Sequence, residues 1–233
     1  MRVLETAMMW LSYGLCHQLP VRSLFGGAYQ VPVCARDTGI YIGFVASFAV
    51  ICLLSRGRRP SGAPPIWLIA FALALISLMV VDGVTSYAGL RATTNETRLI
   101  TGLFAGYGLA LFIVPLLNGQ LWRVHDAGRP LERFWQALVW MATIPLVYAA
   151  VWWVLPLTGI FFAVLVTIAI LATFTIVNLV IVALFRPFEN RAERARELWL
   201  PILIALALTL AELLGSAWFK AWLVGFAASL GVR

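Results

Sequence analysis

Apolar runs as long as a bilayer is thick dominate this chain. Residues 38–54 carry no charged side chain, and a hydrocarbon core about 30 Å thick takes about 17–25 residues of helix to cross. Runs of this kind return at 66–87, 98–117, 134–154, 158–185 and 198–222, with at most two charged residues in each. A shorter apolar segment, 3–16, carries Glu5 and reads as a short or tilted first helix, ended by Pro20. The expected fold is all-α: a polytopic transmembrane bundle of about seven helices, forming one integral membrane domain over residues 1–233. Barrel strands do not suit apolar runs of this length.

Composition agrees, since 12% of the residues are charged and 62% hydrophobic, where a soluble domain keeps about 25% charged. Lysine and arginine number 17 against ten acids, a net charge of +7. Lys220 is the single lysine, and the arginines fall in short clusters between apolar runs. That distribution speaks against a nucleic-acid partner and for the positive-inside rule. Residues 1–15 lack the charged, apolar and small-residue order of a signal peptide, so none is expected. With the N-terminus cytoplasmic and every segment crossing, eleven basic residues fall inside and six outside. The expected location is the inner (cytoplasmic) membrane, multi-pass, with the C-terminus extracytoplasmic. A re-entrant first segment would move the N-terminus outside and leave the other helices in the same directions.

This topology gathers unusual polar residues at the extracytoplasmic side. Cys16 and His17 end the first helix, while Cys34, Arg36 and Asp37 stand at the start of the second. Asp82 lies near the outer end of the third, and Arg91, Asn95 and Arg98 belong to the next outer loop. Thiolate, imidazole and carboxylate are zinc ligands, and a mixed set leaves a coordination position open. Cys16, His17, Cys34 and Asp37 are therefore the expected metal ligands, with zinc the expected cofactor. The rival reading is a Cys16–Cys34 disulfide, which an oxidising compartment permits. Asp82, the sole acid of its helix, is the expected catalytic base; its bland alternative is an Asp–Arg pair. Arg36, Arg91, Asn95 and Arg98 are expected to bind an anionic substrate, since guanidinium forks match phosphate and carboxylate oxygens.

Other polar residues read more simply. Cys52 is expected to be buried packing. Glu212 is placed in the outer half of the membrane, with Lys220 a loose partner. His125 and Asp126, like residues 186–197, form solvated charged loops.

The quoted residues resemble an uncharacterised family of small bacterial and archaeal membrane proteins, classed as a domain of unknown function. Its pattern combines Cys-His-Gln, Arg-Ser, Cys-Ala-Arg-Cys-Thr-Gly, Asp-Gly, Asn-x-x-Arg and Thr-Gly. The matches here are residues 16–18, Arg22 and Ser23, residues 34–39, Asp82 and Gly83, Asn95, Arg98, and Thr101 with Gly102. They cover roughly the first half of the chain. Asp37 stands where the pattern often has a second cysteine, and that family cysteine favours metal over disulfide. The resemblance supports the choice of residues and implies no activity.

The leading functional expectation is an integral membrane enzyme acting at the outer leaflet on an anionic lipid or lipid-linked substrate. Its partners would be membrane lipid and an anionic small molecule or headgroup. A carrier or solute-binding subunit using Asp82 and Glu212 is the second reading. A scaffold subunit with membrane protein partners is the third.

Overall fold

The structure, a computed structural model, describes residues 2–229. Among them, six helices are long and apolar enough to cross a membrane. They are built on α2 (Ala35–Ser55), α3 (Ile66–Tyr87), α4 (Asn95–Leu121), α5 (Phe134–Ala149), α6 (Ile160–Ala183) and α7 (Trp199–Ser229), the fourth span running on from α5 to Thr158 and the sixth starting before α7 at Ala195. A wide turn at Ala150–Val154 and a tight one at Leu155–Thr158 carry α5 into a corner before α6. Thr94 caps α4, its side chain accepting from the Thr97 N–H.

The first segment departs from expectation. Helix α1 (Arg2–Leu11) has 10 residues, about 15 Å of rise, which is half a bilayer. It does not cross. It lies against α7, α6 and the segment leading into α2, at the end of the bundle where α2 begins. Lys220 of α7 fastens the following turn there, its Nζ donating to the carbonyls of Tyr13 at 2.8 Å and Cys16 at 2.7 Å. Lys220 is thereby committed away from Glu212.

The polar segment from His17 to Arg36, which reads as a loop in the sequence, holds an antiparallel hairpin of β1 (Ser23–Gly26) and β2 (Tyr29–Cys34). Gly26 pairs with Tyr29 across a two-residue turn, and Gly27 there has φ +58°, a conformation glycine adopts without penalty. The hairpin tip meets the α5–α6 corner, where Gly27 N–H donates to Pro156 O at 3.1 Å. A Cβ at Gly26 would overlap Gly159 O. From the tip β2 runs inward along α6. Val31 and Val33 are fully buried with Leu99, Leu103, Phe162, Val166 and Ile170. Non-helical backbone at this depth is tolerated only when protein encloses it, and here α4 and α6 are the walls. Gln18 closes the hairpin's free edge. Its Nε2 lies 2.7 Å from Met9 O and 3.0 Å from Pro32 O, and the Ser12 hydroxyl donates to Pro32 O at 2.8 Å. Gln18→Ala should lower stability by about 1–3 kcal/mol, the cost of leaving buried acceptors short of donors. Thermal unfolding in detergent measures it.

The central contact joins α2 and α4. Gly39 and Gly43 of α2 face Gly102 and Gly106 of α4, each pair four residues apart and so on one helix face. A Cβ at Gly102 would overlap Arg36 O, one at Gly106 would overlap Ile40 O, and one at Gly39 would overlap Leu99 O. Such small residues let membrane helices approach backbone to backbone. Polar links tie α5 to the same pair: Trp140 Nε1 donates to Ser47 Oγ at 2.8 Å, and Ser47 Oγ donates to Tyr107 O at 3.1 Å. Helix α3 covers the outside of α4, and α7 covers α6.

Two expectations about single residues are corrected. Cys52 is exposed on α2 rather than buried, because the buried face of α2 is the one bearing the glycines. Glu212 accepts from Asn178 Nδ2 at 2.9 Å, and Asn178 lies five residues, about 7.5 Å, from the Ala183 end of α6. Glu212 thus has Asn178 as its partner and not Lys220. Helix α7 starts beyond the end of α6, since Ala205 already packs with Val182 and Ala183.

Candidate functional site

Hairpin and glycine contact together fix where α2 starts. Gly102 meets Arg36 O seven residues into α4, about 10 Å below its first turn. Asp82 lies five residues, about 7.5 Å, short of the end of α3. The first turn of α2 is therefore recessed below the ends of its neighbours, and the hairpin fills the space above it.

At this recessed turn Cys16, Cys34 and Asp37 converge, their ligand atoms all within 4.8 Å of one another. Cys34 Sγ donates to Asp37 Oδ2 at 3.2 Å, and the Cys34 N–H donates to Cys16 Sγ at 3.3 Å. Both cysteines are free thiols and half-buried. The adjoining Cys34 side chain, aided by the backbone N–H groups of Gln18 and Cys34, holds the Cys16 thiol below the ordinary range, against the opposing effect of burial. The Cys34 thiol is pushed up, first by the adjoining Cys16 side chain and then by burial and the Asp37 charge. Of the two, Cys16 is the one whose surroundings favour the thiolate. Cys16 should react with a small alkylating reagent at pH 6 while Cys34 does not. Mass mapping of the modified peptides checks this.

The expected fourth ligand is elsewhere. His17 is exposed and stands outside the cluster of ligand atoms. Gln18 follows with φ +53°, and it is this amide, not the imidazole, that turns into the hairpin.

The arginines divide. Arg36 and Asp82 form a buried ion pair, with Nη2 2.5 Å from Oδ2. Thr93 donates to the other carboxylate oxygen at 3.1 Å, and the Thr101 hydroxyl lies 3.4 Å from Oδ2. Asp82 thus has the surroundings of a structural partner rather than an open base. Arg98 is buried on α4, donating to Asn95 Oδ1 at 3.1 Å. Asn95 in turn donates to Val21 O at 3.1 Å and so holds the segment before the hairpin. Arg91 is exposed and apart from these. Among the described residues, Arg36 Nε and Thr38 Oγ1 are buried without a hydrogen-bond partner, both within four residues of Cys34. Two participants escaped the sequence reading. Gln18 had its signal in the Cys-His-Gln triplet, and the glycines had theirs in the four-residue spacing at 39/43 and 102/106.

Residues 16–112 match the family described as Predicted membrane protein (DUF2085). An uncharacterized protein of Methanocaldococcus jannaschii is 34% identical over 109 residues, covering 47% of this chain and 67% of that one. The chain belongs to the DUF2085 family. A second relative, an uncharacterized protein of Methanothermobacter thermautotrophicus, is 35% identical over 97 residues, covering 42% of this chain and 82% of its own. No solved structure matches. The DUF2085 match begins at Cys16 and ends within α4, so it contains the hairpin, the recessed turn, the ion pair and all four glycines. Helices α5, α6 and α7 lie beyond it.

Proposed function

We propose that this protein is an integral membrane enzyme with a zinc site at Cys16, Cys34 and Asp37, acting at the extracytoplasmic face on an anionic lipid or lipid-linked substrate. The observation that carries the reading is the convergence of two thiols and a carboxylate at the recessed start of α2. The donors suit the ion. Zinc takes thiolate at about 2.3 Å and carboxylate at about 2.0–2.2 Å, so ligand atoms around it stand about 3.5–4 Å apart, and the 3.2 Å between Cys34 and Asp37 is close to that. Three protein donors leave a fourth position, where a bound zinc supplies Lewis-acid chemistry. Arg98, held by Asn95, supplies positive charge from the neighbouring helix. Asp82 is assigned to positioning Arg36 rather than to proton transfer.

Arginine counting supports the orientation. The densest clusters, at Arg56 to Arg59, Arg123 to Arg133 and Arg186 to Arg196, lie at the end opposite the cysteines. Because α1 does not cross, this orientation places it outside, where the sequence reading had the N-terminus cytoplasmic. Glu5→Cys should react with a membrane-impermeant maleimide in intact cells and Arg191→Cys should not; the opposite labelling would invert the topology.

Elemental analysis of protein purified without chelator or metal-affinity tag tests the site. We expect about one zinc per chain, lost in Cys34→Ser and Asp37→Asn and retained in His17→Ala. No metal, with a single reactive thiol at Cys52, would mean a Cys16–Cys34 disulfide and would sink the metalloenzyme.

A carrier is the second reading, favoured by one observation. Glu212 is exposed within a membrane-crossing helix, and it lines a cavity of about 340 Å³ with Asn178, Leu15 and Phe174. Intramembrane carboxylates mark ion and substrate routes. Solute uptake into liposomes that disappears in Glu212→Gln would favour it over the enzyme.

A further inference from the structure

At the end of the bundle away from the cysteines, two loops close around a second site. The turn after α2 and the segment before α5 enclose a cavity of about 200 Å³. Arg56 and Arg58 line it from one side, Arg129 and Arg133 from the other, with Trp135 and Gln136 at the start of α5. The volume falls below the range of about 300–1,000 Å³ that holds drug-sized ligands. It suits a small group with many oxygens.

Positive-inside topology calls for arginines at one end of a bundle. It does not call for four of them, from two loops, around one concavity. Their neighbours are spent otherwise: Arg59 stacks 3.4 Å over the Trp122 ring, and Arg123 pairs with Glu193. Among the described residues, Arg56, Arg129 and Arg133 make no ion pair, and Arg58 has only a loose approach of 3.9 Å to Asp126. Asp126 is itself engaged, accepting from Gly128 N–H at 2.9 Å. Glu132 is the other acid in the lining.

The backbone adds to the charge. Helix α5 opens on this cavity with no acidic residue in its first turn, so nothing on the helix offsets the positive end of its dipole. Two residues of the rim are left-handed without being glycine, Arg56 at φ +47° and Leu131 at φ +52°. Each costs about 1–2 kcal/mol. Arg56 occupies the helix-terminating position that glycine usually takes, and it is held there by the fold. Gln136 ties the two sides together, its Nε2 donating to Leu54 O at 3.2 Å. Exposed Trp67 and Phe134 pack together beside the site, with Trp135 on its wall. Aromatic residues of this kind settle at headgroup depth.

We propose that this cavity binds a phosphate oxyanion, held by Arg56, Arg58, Arg129 and Arg133 at the N-terminus of α5. A lipid headgroup and a soluble phosphate share that chemistry, and guanidinium forks match it.

Native mass spectrometry of the full chain in detergent tests it. The probes are short-chain phosphatidylglycerol, phosphatidylcholine of equal chain length, and inorganic phosphate. Phosphatidylglycerol retained at least tenfold better than phosphatidylcholine, with that preference lost in Arg129→Ala/Arg133→Ala, assigns the site to a lipid headgroup. Inorganic phosphate bound and lost in the same variant, without a lipid preference, assigns it to a soluble phosphate. Equal retention of both lipids with no phosphate binding would overturn the proposal. So would anion binding that survives the double variant, or that falls equally in Arg186→Ala/Arg194→Ala outside the cavity. Should the double variant fail to fold, Arg129→Gln leaves α5 untouched and must still lose at least threefold.

Discussion

Gly102→Leu should be the most damaging single substitution in the chain. Any Cβ at this position overlaps the Arg36 carbonyl of the facing helix, and backbone has no rotamer by which to retreat. Overpacking a core costs about 1–3 kcal/mol when side chains can shift. A backbone–backbone contact must instead push α2 and α4 apart, which opens the recessed turn as well. We expect a loss of at least about 4 kcal/mol, in the range that marks a failed structural position, seen as absence of a monodisperse peak in detergent. Gly102→Ala should already be damaging, and Gly39→Leu and Gly106→Leu should behave like Gly102→Leu. Gly215→Ala and Gly225→Ala serve as controls. A Cβ there meets nothing within 4 Å, and helix propensity alone favours the change by about 1 kcal/mol. Equal effects at 102 and 215 would refute the backbone contact.

The second large effect concerns Arg36 and Asp82. Removing one member of a buried pair leaves an uncompensated charge and costs about 3–5 kcal/mol, whereas replacing both with apolar residues is often neutral. Asp82→Leu and Arg36→Met should each fall in the first range. The double substitution should recover most of the loss, because both side chains are buried. Thermal unfolding of the four proteins in one detergent gives the coupling directly. A double variant as unstable as the sum of the singles would mean that the two residues act separately. Under that outcome Asp82 would return as a candidate base.

Run length alone located the six crossing helices, because spans of apolar residues have few other solutions. Gly26 and Gly27 mark a turn in the sequence, but not the hairpin it joins. The strands are 4 and 6 residues long, and Pro32 lies within the second, which ordinarily argues against a strand. What permits them is enclosure by Phe162, Val166 and Ile170 of α6, residues far along the chain. Cys34 and Asp37 were legible as a pair from their three-residue spacing at a helix start. That Cys16 joins them and His17 does not depends on the left-handed Gln18 between the loop and the hairpin, a backbone choice no pattern of residue types announced. Cys52 was misjudged because an apolar helix has no polar face to orient it; the glycines at 39 and 43 were the better guide.

The hairpin's dependence on α6 has a consequence for biosynthesis. Chains emerge from the ribosome N-terminus first, so α2 and α4 can pair through their glycines while α6 is still unmade. During that interval one wall of the β2 strand is missing, and its buried valines, with Cys16 and Cys34 beside them, have no finished enclosure. The two thiols are therefore set in place late, after α6 inserts, although they are encoded near the beginning. A stall or truncation between α4 and α6 would leave a membrane intermediate whose helices are paired and whose cysteines are open to whatever oxidant or metal arrives first.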